Sequence, residues 1–269
     1  MNVRTIILVS ALLVATGCLK EAQINQNRVE TFSDLYKNGT LIAVCYPGHC
    51  PAGRYAEMVI TNLESKDPDA GRKIRGNIVT NDPNVRAVLD KIVTGEVDAG
   101  FVYVTDAYLE KNRFQIIEIP PDISPLPQYG VAIIKGGENA AEASLFVEFL
   151  LSTQGQEVLK EYGFIPAVDE PKPFEVKNLM TKNPITVYAA ISLTDAFTEA
   201  VKRFEAETGI KVTIGFGSSG TLRQRIEGGA PVDVYATASL HHADLLINEG
   251  FIEGYKVFGR NRLVVAALR

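Results

Sequence analysis

Histidine is scarce, with His49, His241 and His242 the only 3 in 269 residues. No Gly-x-Ser-x-Gly turn accompanies them, so a serine hydrolase's nucleophile elbow is missing and no enzymatic activity is expected. Lys and Arg total 27 against 32 Asp and Glu. They are scattered singly, which leaves no basic stripe to follow a phosphate backbone and excludes nucleic acid as a partner. After the first residues no second hydrophobic stretch, repeat or low-complexity tract interrupts an ordinary globular composition. Cysteine is sparse too. Cys45 and Cys50 flank Tyr46-Pro47-Gly48-His49 and could close a small loop in an oxidising compartment, which the sequence leaves open. Read with His49 as metal ligands, the pair matches no common zinc spacing and lacks a fourth ligand, so no metal and no cofactor is expected.

What is present begins with an export signal. Arg4 supplies a basic start and Ile6 to Ala15 an apolar core too short to span a bilayer. Ala15, Thr16 and Gly17 precede Cys18, the arrangement a lipoprotein signal peptidase needs before the cysteine is lipidated. Residues 1–18 are therefore expected to be a signal peptide, and the mature protein to be extracytoplasmic and anchored to the cell membrane through Cys18. Roughly 250 residues remain, enough for one large or two modest domains.

Along that remainder, short β-branched runs alternate with amphipathic helical stretches, the pattern of α/β layers with parallel strands. Leu41 to Cys45 reads as a strand, followed by a helix from about Gly53. Asp82 reads as the N-cap of the next helix, with Pro83 at its first position and Val85, Val88, Leu89 and Ile92 as its apolar stripe. Ala99 to Val104 is a strand. The proline-rich run Pro120 to Pro127 is the expected domain boundary. Beyond it come a strand from Gly130 to Ile134, a long helical region from Ala141 to Tyr162, a charged linker from Asp169 to Pro184, and a second α/β unit from Ile185.

Four turns offer small or hydroxyl residues where a helix begins: Pro51-Ala52-Gly53, Asp82-Pro83-Asn84-Val85, Ala190-Ile191-Ser192 and Gly217-Ser218-Ser219-Gly220. Helix N-termini carry unpaired N–H groups and partial positive charge, so several that converge form an anion site without any cation. Singly, each turn is more simply a helix cap. Gly215 to Gly220 also satisfies the Gly-x-Gly-x-x-Gly dinucleotide fingerprint, but an exported protein meets little nicotinamide cofactor.

Several longer runs carry a more specific pattern. Ile185-Thr186-Val187-Tyr188-Ala189-Ala190-Ile191-Ser192-Leu193-Thr194, Phe216 to Leu222 followed by Gly228 to Asp233, Pro51 to Ala56, Asn84-Val85-Arg86, and Gly100 to Ala107 together resemble the molybdate-binding proteins of ABC transporters. The resemblance covers nearly all of the mature chain. It implies a two-lobe periplasmic-binding-protein clamshell of the α/β class, each lobe a mostly parallel sheet flanked by helices, that captures molybdate or tungstate for a membrane permease. By that match the ligand contacts fall on the N–H and hydroxyl groups of Ser192 and Ser219, the N–H groups of Ala52 and Val85, and the Tyr103 hydroxyl. Every contact is a donor. A fully deprotonated dianion has no proton to give, so such a site favours molybdate, tungstate or sulfate over hydrogen phosphate, provided that Asp82 and Asp195 point away. A sulfate-type receptor, or an oxyanion sensor or interaction module at the membrane, is the alternative expectation.

The order of the pieces departs from the resemblance, because the segments with Ala52, Val85 and Tyr103 precede those with Ser192 and Ser219. Each half is present once, which favours a circularly permuted clamshell over fused gene fragments. Residues 30–127 are then expected to form lobe 2 and residues 128–269 lobe 1, with Leu263 to Leu268 as a crossover strand. The expected product is a monomer with one covalent hinge near Tyr129.

Overall fold

In a computed structural model of the chain, residues 28–108, 110, 112–176 and 181–269 are described. The expected signal peptide and Cys18 lie outside them. Lobe 2 runs through β1 (Ile42–Cys45), α1 (Pro51–Lys66), α2 (Pro68–Asn77), β2 (Ile78–Asp82), α3 (Val85–Thr94), β3 (Ala99–Tyr103), the short α4 (Val104–Tyr108) and β4 (Phe114–Glu118). Lobe 1 holds β5 (Gln128–Ile133), α5 (Ala140–Leu151), α6 (Thr153–Glu161), β6 (Ile165–Pro166), β7 (Ile185–Ala190), α7 (Thr194–Thr208), β8 (Val212–Gly217), α8 (Ser219–Glu227), β9 (Val234–Thr237), α9 (Leu240–Asn248) and β10 (Lys256–Arg260). A last strand, β11 (Leu263–Leu268), follows.

Local sequence accounts for most of these elements. In α1, Pro51 occupies the first turn and Ala56, Val59, Ile60 and Leu63 recur at helical spacing, so one face is buried against the sheet. In α3, Val85, Val88, Leu89 and Ile92 form the buried stripe, and Gly95 ends the helix in the left-handed conformation at φ 73°. Asn84, not Asp82, is its N-cap, and the Asn84 carboxamide oxygen accepts the N–H groups of Arg86 and Ala87. Asp82 instead closes β2, where its side chain accepts the Thr80 hydroxyl at 2.7 Å. The region Ala141 to Tyr162 is two helices, because Ser152 leaves the helical path and caps the second through Gly155 N–H.

Two sheets form, a five-stranded one ordered β2-β1-β3-β11-β4 and a six-stranded one ordered β6-β10-β5-β9-β7-β8. Parallel pairing holds within β2-β1-β3 and β9-β7-β8. Elsewhere the ladders are antiparallel, so each sheet is mixed. The antiparallel pairs arise where the chain passes between lobes in extended form, since a strand arriving without a crossover helix runs against its neighbour.

That topology corrects the expected lobe boundary. The strand β11 does not stay with residues 128–260. It inserts between β3 and β4, pairing Val265 with Phe101 on one side and with Ile117 on the other. Its residues Leu263 to Ala267 are buried, as an apolar strand covered on both faces must be. The lobes are therefore joined twice, by residues 119–127 and by Asn261-Arg262, and the expected single hinge near Tyr129 is replaced by a pair. The two connections touch, with Asn261 N–H donating to the Pro127 carbonyl at 2.9 Å.

Candidate functional site

Helices α1, α3 and α8 all begin at the interface between the lobes. Ala52 is the second residue of α1, Val85 the first of α3 and Ser219 the first of α8. First-turn N–H groups have no partner inside a helix, and local caps meet only some of them. In α1 the Gly53 N–H reaches Cys45 Sγ and Arg54 N–H reaches the Cys50 carbonyl. In α8 the Gly220 N–H reaches the His49 carbonyl and Thr221 N–H reaches Ser218 Oγ. The N–H groups of Ala52, Val85 and Ser219 are left without a hydrogen-bond partner among the described residues.

These three residues meet Tyr103 and Ser192 around one small cavity, completed by Cys50, Pro51, Ala190, Ile191, Gly217, Ser218 and Ala238. The cavity is small, about 10 Å³ or roughly the space one water needs, so a polyatomic anion requires the lining to give way. No lining residue is an acid or a base. The two carboxylates near the turns are occupied elsewhere, Asp82 by Thr80 and Asp195 by Arg86 at 2.6 Å.

The hydroxyls of Ser219 and Tyr103 can donate into the cavity. Ser219 Oγ, fully buried, accepts the Ala238 N–H at 3.1 Å, so its own proton is free to point inward. Tyr103 is 1% exposed and its hydroxyl has no hydrogen-bond partner among the described residues. Burial, reinforced by the neighbouring Tyr129 phenol, holds its pKa well above the ordinary tyrosine value, so the proton stays on. An unpaired buried hydroxyl costs roughly 1–3 kcal/mol, and one aimed into a cavity points to a missing acceptor. Ser192 Oγ lies 3.0 Å from the Tyr129 hydroxyl.

Two features hold the donor turns in place. Cys45 and Cys50 are bonded as a disulfide, which ties the end of β1 to the start of α1. The turn is tight, for a Cβ on Gly53 would lie 1.8 Å from the Cys45 carbonyl oxygen. Across the cleft, Gly220 packs so closely that a Cβ there would meet the His49 backbone at 2.4 Å.

A family model described as "Bacterial extracellular solute-binding protein" matches residues 9–165 and 185–269. The chain belongs to this family. Two curated relatives of this solute-binding protein are molybdate-binding proteins ModA. That of Haemophilus influenzae is 34% identical over 123 residues, 46% of each chain, and that of Escherichia coli is 31% identical over 127 residues, 47% of each. The chain thus spans about half the length of the curated relatives it matches. A phosphate-binding protein of a phosphate ABC transporter from Streptococcus pneumoniae superposes with TM-score 0.49 at 14% identity, covering 86% of this chain and 90% of that one.

Beyond the five residues read from the sequence, the solute-binding protein builds an ion bridge between its lobes. Arg86, next to Val85, reaches Asp106 of its own lobe at 2.9 Å and Asp195 of the other at 2.6 Å. Burial pushes the Asp106 carboxyl up to about 7, against the opposing pull of Arg86. Tyr129 and Asn261 also stand behind the cavity, linked to each other at 3.2 Å. No local pattern marked either residue, because the side-chain partners Ser192, Thr105 and each other lie 63 to 156 positions away. Their one sequence signal was position: Tyr129 opens the strand after the proline-rich run, and Asn261 interrupts two apolar strands.

Proposed function

We propose that this protein captures a fully deprotonated tetrahedral oxyanion, molybdate or tungstate, outside the cytoplasm and presents it to an ABC permease. The observation that carries the reading is the donor set: unpaired N–H groups of Ala52, Val85 and Ser219 and hydroxyls of Ser192, Ser219 and Tyr103, from both lobes, around a cavity lined by no charged side chain. Three helix N-termini supply positive potential there. A dianion satisfies every donor, whereas a protonated anion would bring a proton that no lining side chain is placed to accept. The ModA relatives support the choice of molybdate-type anions.

On this reading the anion binds Ser192, Ser219, Ala52, Val85 and Tyr103, and the lobes close over it. Lipidation of Cys18 tethers the monomer to the membrane beside its permease. A permuted order of segments fits the half-length matches, since a collinear alignment cannot cross the junction of a permuted chain.

Calorimetric titration of the purified mature protein with molybdate, tungstate, sulfate and phosphate tests the reading. Tight binding of molybdate and tungstate with weak phosphate binding is expected. Selective sulfate binding would make it a sulfate-type receptor, and silence with all four would end the oxyanion assignment. Ser219→Ala should lower affinity about ten- to 150-fold, because a hydrogen bond to a charged group contributes roughly 1.5–3 kcal/mol.

A further inference from the structure

We infer that Tyr129 and Asn261 fix the direction of the Ser192 hydroxyl proton and thereby set which protonation state of an oxyanion the site accepts. The inference rests on the oxyanion reading and deepens it. Neither residue lines the cavity, so both are positioning residues that act through Ser192.

The chain of directions starts at a group that can only donate. Arg262 backbone N–H donates to Asn261 Oδ1 at 2.8 Å, which assigns the carboxamide oxygen and turns the amino group the other way. Asn261 is fully buried, and its Nδ2 lies 2.9 Å from Thr105 Oγ1 and 3.2 Å from the Tyr129 hydroxyl. An amide nitrogen offers hydrogens and no acceptor, so the Tyr129 oxygen accepts from it. The phenol's single proton is then directed at its other neighbour, Ser192 Oγ, at 3.0 Å. Ser192 Oγ accepts that proton, and its own hydrogen is left for the cavity that Ser192 lines.

Without this relay a serine hydroxyl is indifferent, since it can rotate to donate to a bare oxygen or accept from a protonated one. With it, one Ser192 lone pair is taken and the hydroxyl hydrogen is released towards the cavity, so Ser192 meets an anion first as a donor, as Ser219 does through its bond from Ala238 N–H. The relay also begins at the junction of the lobes. Asn261 lies in the second connection and Tyr129 just beyond the first, in β5, and Thr105 follows the strand that carries Tyr103. The direction of the Ser192 proton is therefore set by the same residues that join the two lobes.

The test is Tyr129→Phe, which keeps the ring that packs against Tyr103, Phe164 and Phe258 and removes only the oxygen. Molybdate and phosphate affinities are measured by calorimetry for the wild type, Tyr129→Phe, Ser192→Ala and the double variant. In Tyr129→Phe the molybdate affinity should fall about tenfold while phosphate affinity holds or rises, so the ratio of the two drops by at least about tenfold. In the Ser192→Ala background the same change should leave that ratio where it was, because the relay has no hydroxyl to direct. A uniform loss for both anions, an unchanged ratio, or an equal effect with and without the Ser192 hydroxyl would overturn the relay alone. A wild type that binds none of the anions would overturn the oxyanion reading and the relay with it.

Discussion

Tyr103→Phe removes one oxygen atom, and the structure assigns opposite signs to its effect with and without ligand. The hydroxyl is buried and has no hydrogen-bond partner among the described residues. Removing it relieves a desolvation cost of roughly 1–3 kcal/mol, which for a chain of this size raises the melting temperature by about 2–4 °C per kcal/mol. With the anion bound, the same oxygen is one of the donors, and its loss removes a charge-assisted bond of roughly 1.5–3 kcal/mol. Affinity should then fall about ten- to 150-fold. Thermal melts of dialysed protein and calorimetric titration with molybdate read the two effects separately. The ring itself stays in place against Tyr55 and Tyr129, at centroid distances of 6.5 and 5.8 Å, so packing changes little. A drop in ligand-free stability would show that the hydroxyl has a protein partner. An unchanged affinity would show that it faces no anion, and either result refutes the reasoning.

The disulfide and a buried histidine give further outcomes. Reducing Cys45–Cys50, or replacing both cysteines by Ala, frees a short loop and should cost roughly 2 kcal/mol of stability by the chain-entropy relation. Because Cys50 precedes the Ala52 turn, molybdate affinity should fall as well, and equal titrations before and after reduction would detach the disulfide from the site. His242 is 2% exposed with both ring nitrogens unpaired, and burial, with His241, Arg223, Arg54 and His49 nearby, lowers its pKa to about 3. The unfolded chain protonates it below about 6.5, whereas the folded chain does not, so its contribution to stability is lost as pH falls from there towards 3. His242→Phe should raise the melting temperature, and by more at pH 5 than at pH 8. A gain that is the same at both values would rule out this titration.

How much of this was legible in the sequence depends on the range of the interaction that decides it. The donor turns are local. Pro51-Ala52-Gly53, Asn84-Val85 and Ser218-Ser219-Gly220 each announce a helix start within a few residues, and the α/β alternation around them follows from hydrophobic period alone. Even here the cap at α3 was misassigned, because Asp82 and Asn84 are equally good caps by residue type. Pairing with Cys45 in β1 draws Asp82 into the sheet and leaves Asn84 for the helix. Leu263 to Leu268 was expected as a crossover strand, but burial on both faces specifies no sheet, so its place between β3 and β4 was not legible.

What the sequence hid lies at the lobe junction, and this follows from the geometry. A site closed from two sides needs residues that reach across the junction, and such residues are distant along the chain: Arg86 and Asp195, Asn261 and Thr105. The second connection explains why they can be held so closely. One flexible hinge would let the lobes twist as well as close, and the donors of Ala52 and Val85 would approach those of Ser192 and Ser219 from variable directions. Two connections in contact through Asn261 and Pro127 oppose such twisting. On the oxyanion reading the donors of the two lobes then meet in one arrangement, and the hydrogen bonds proposed to orient Ser192 originate beside these connections.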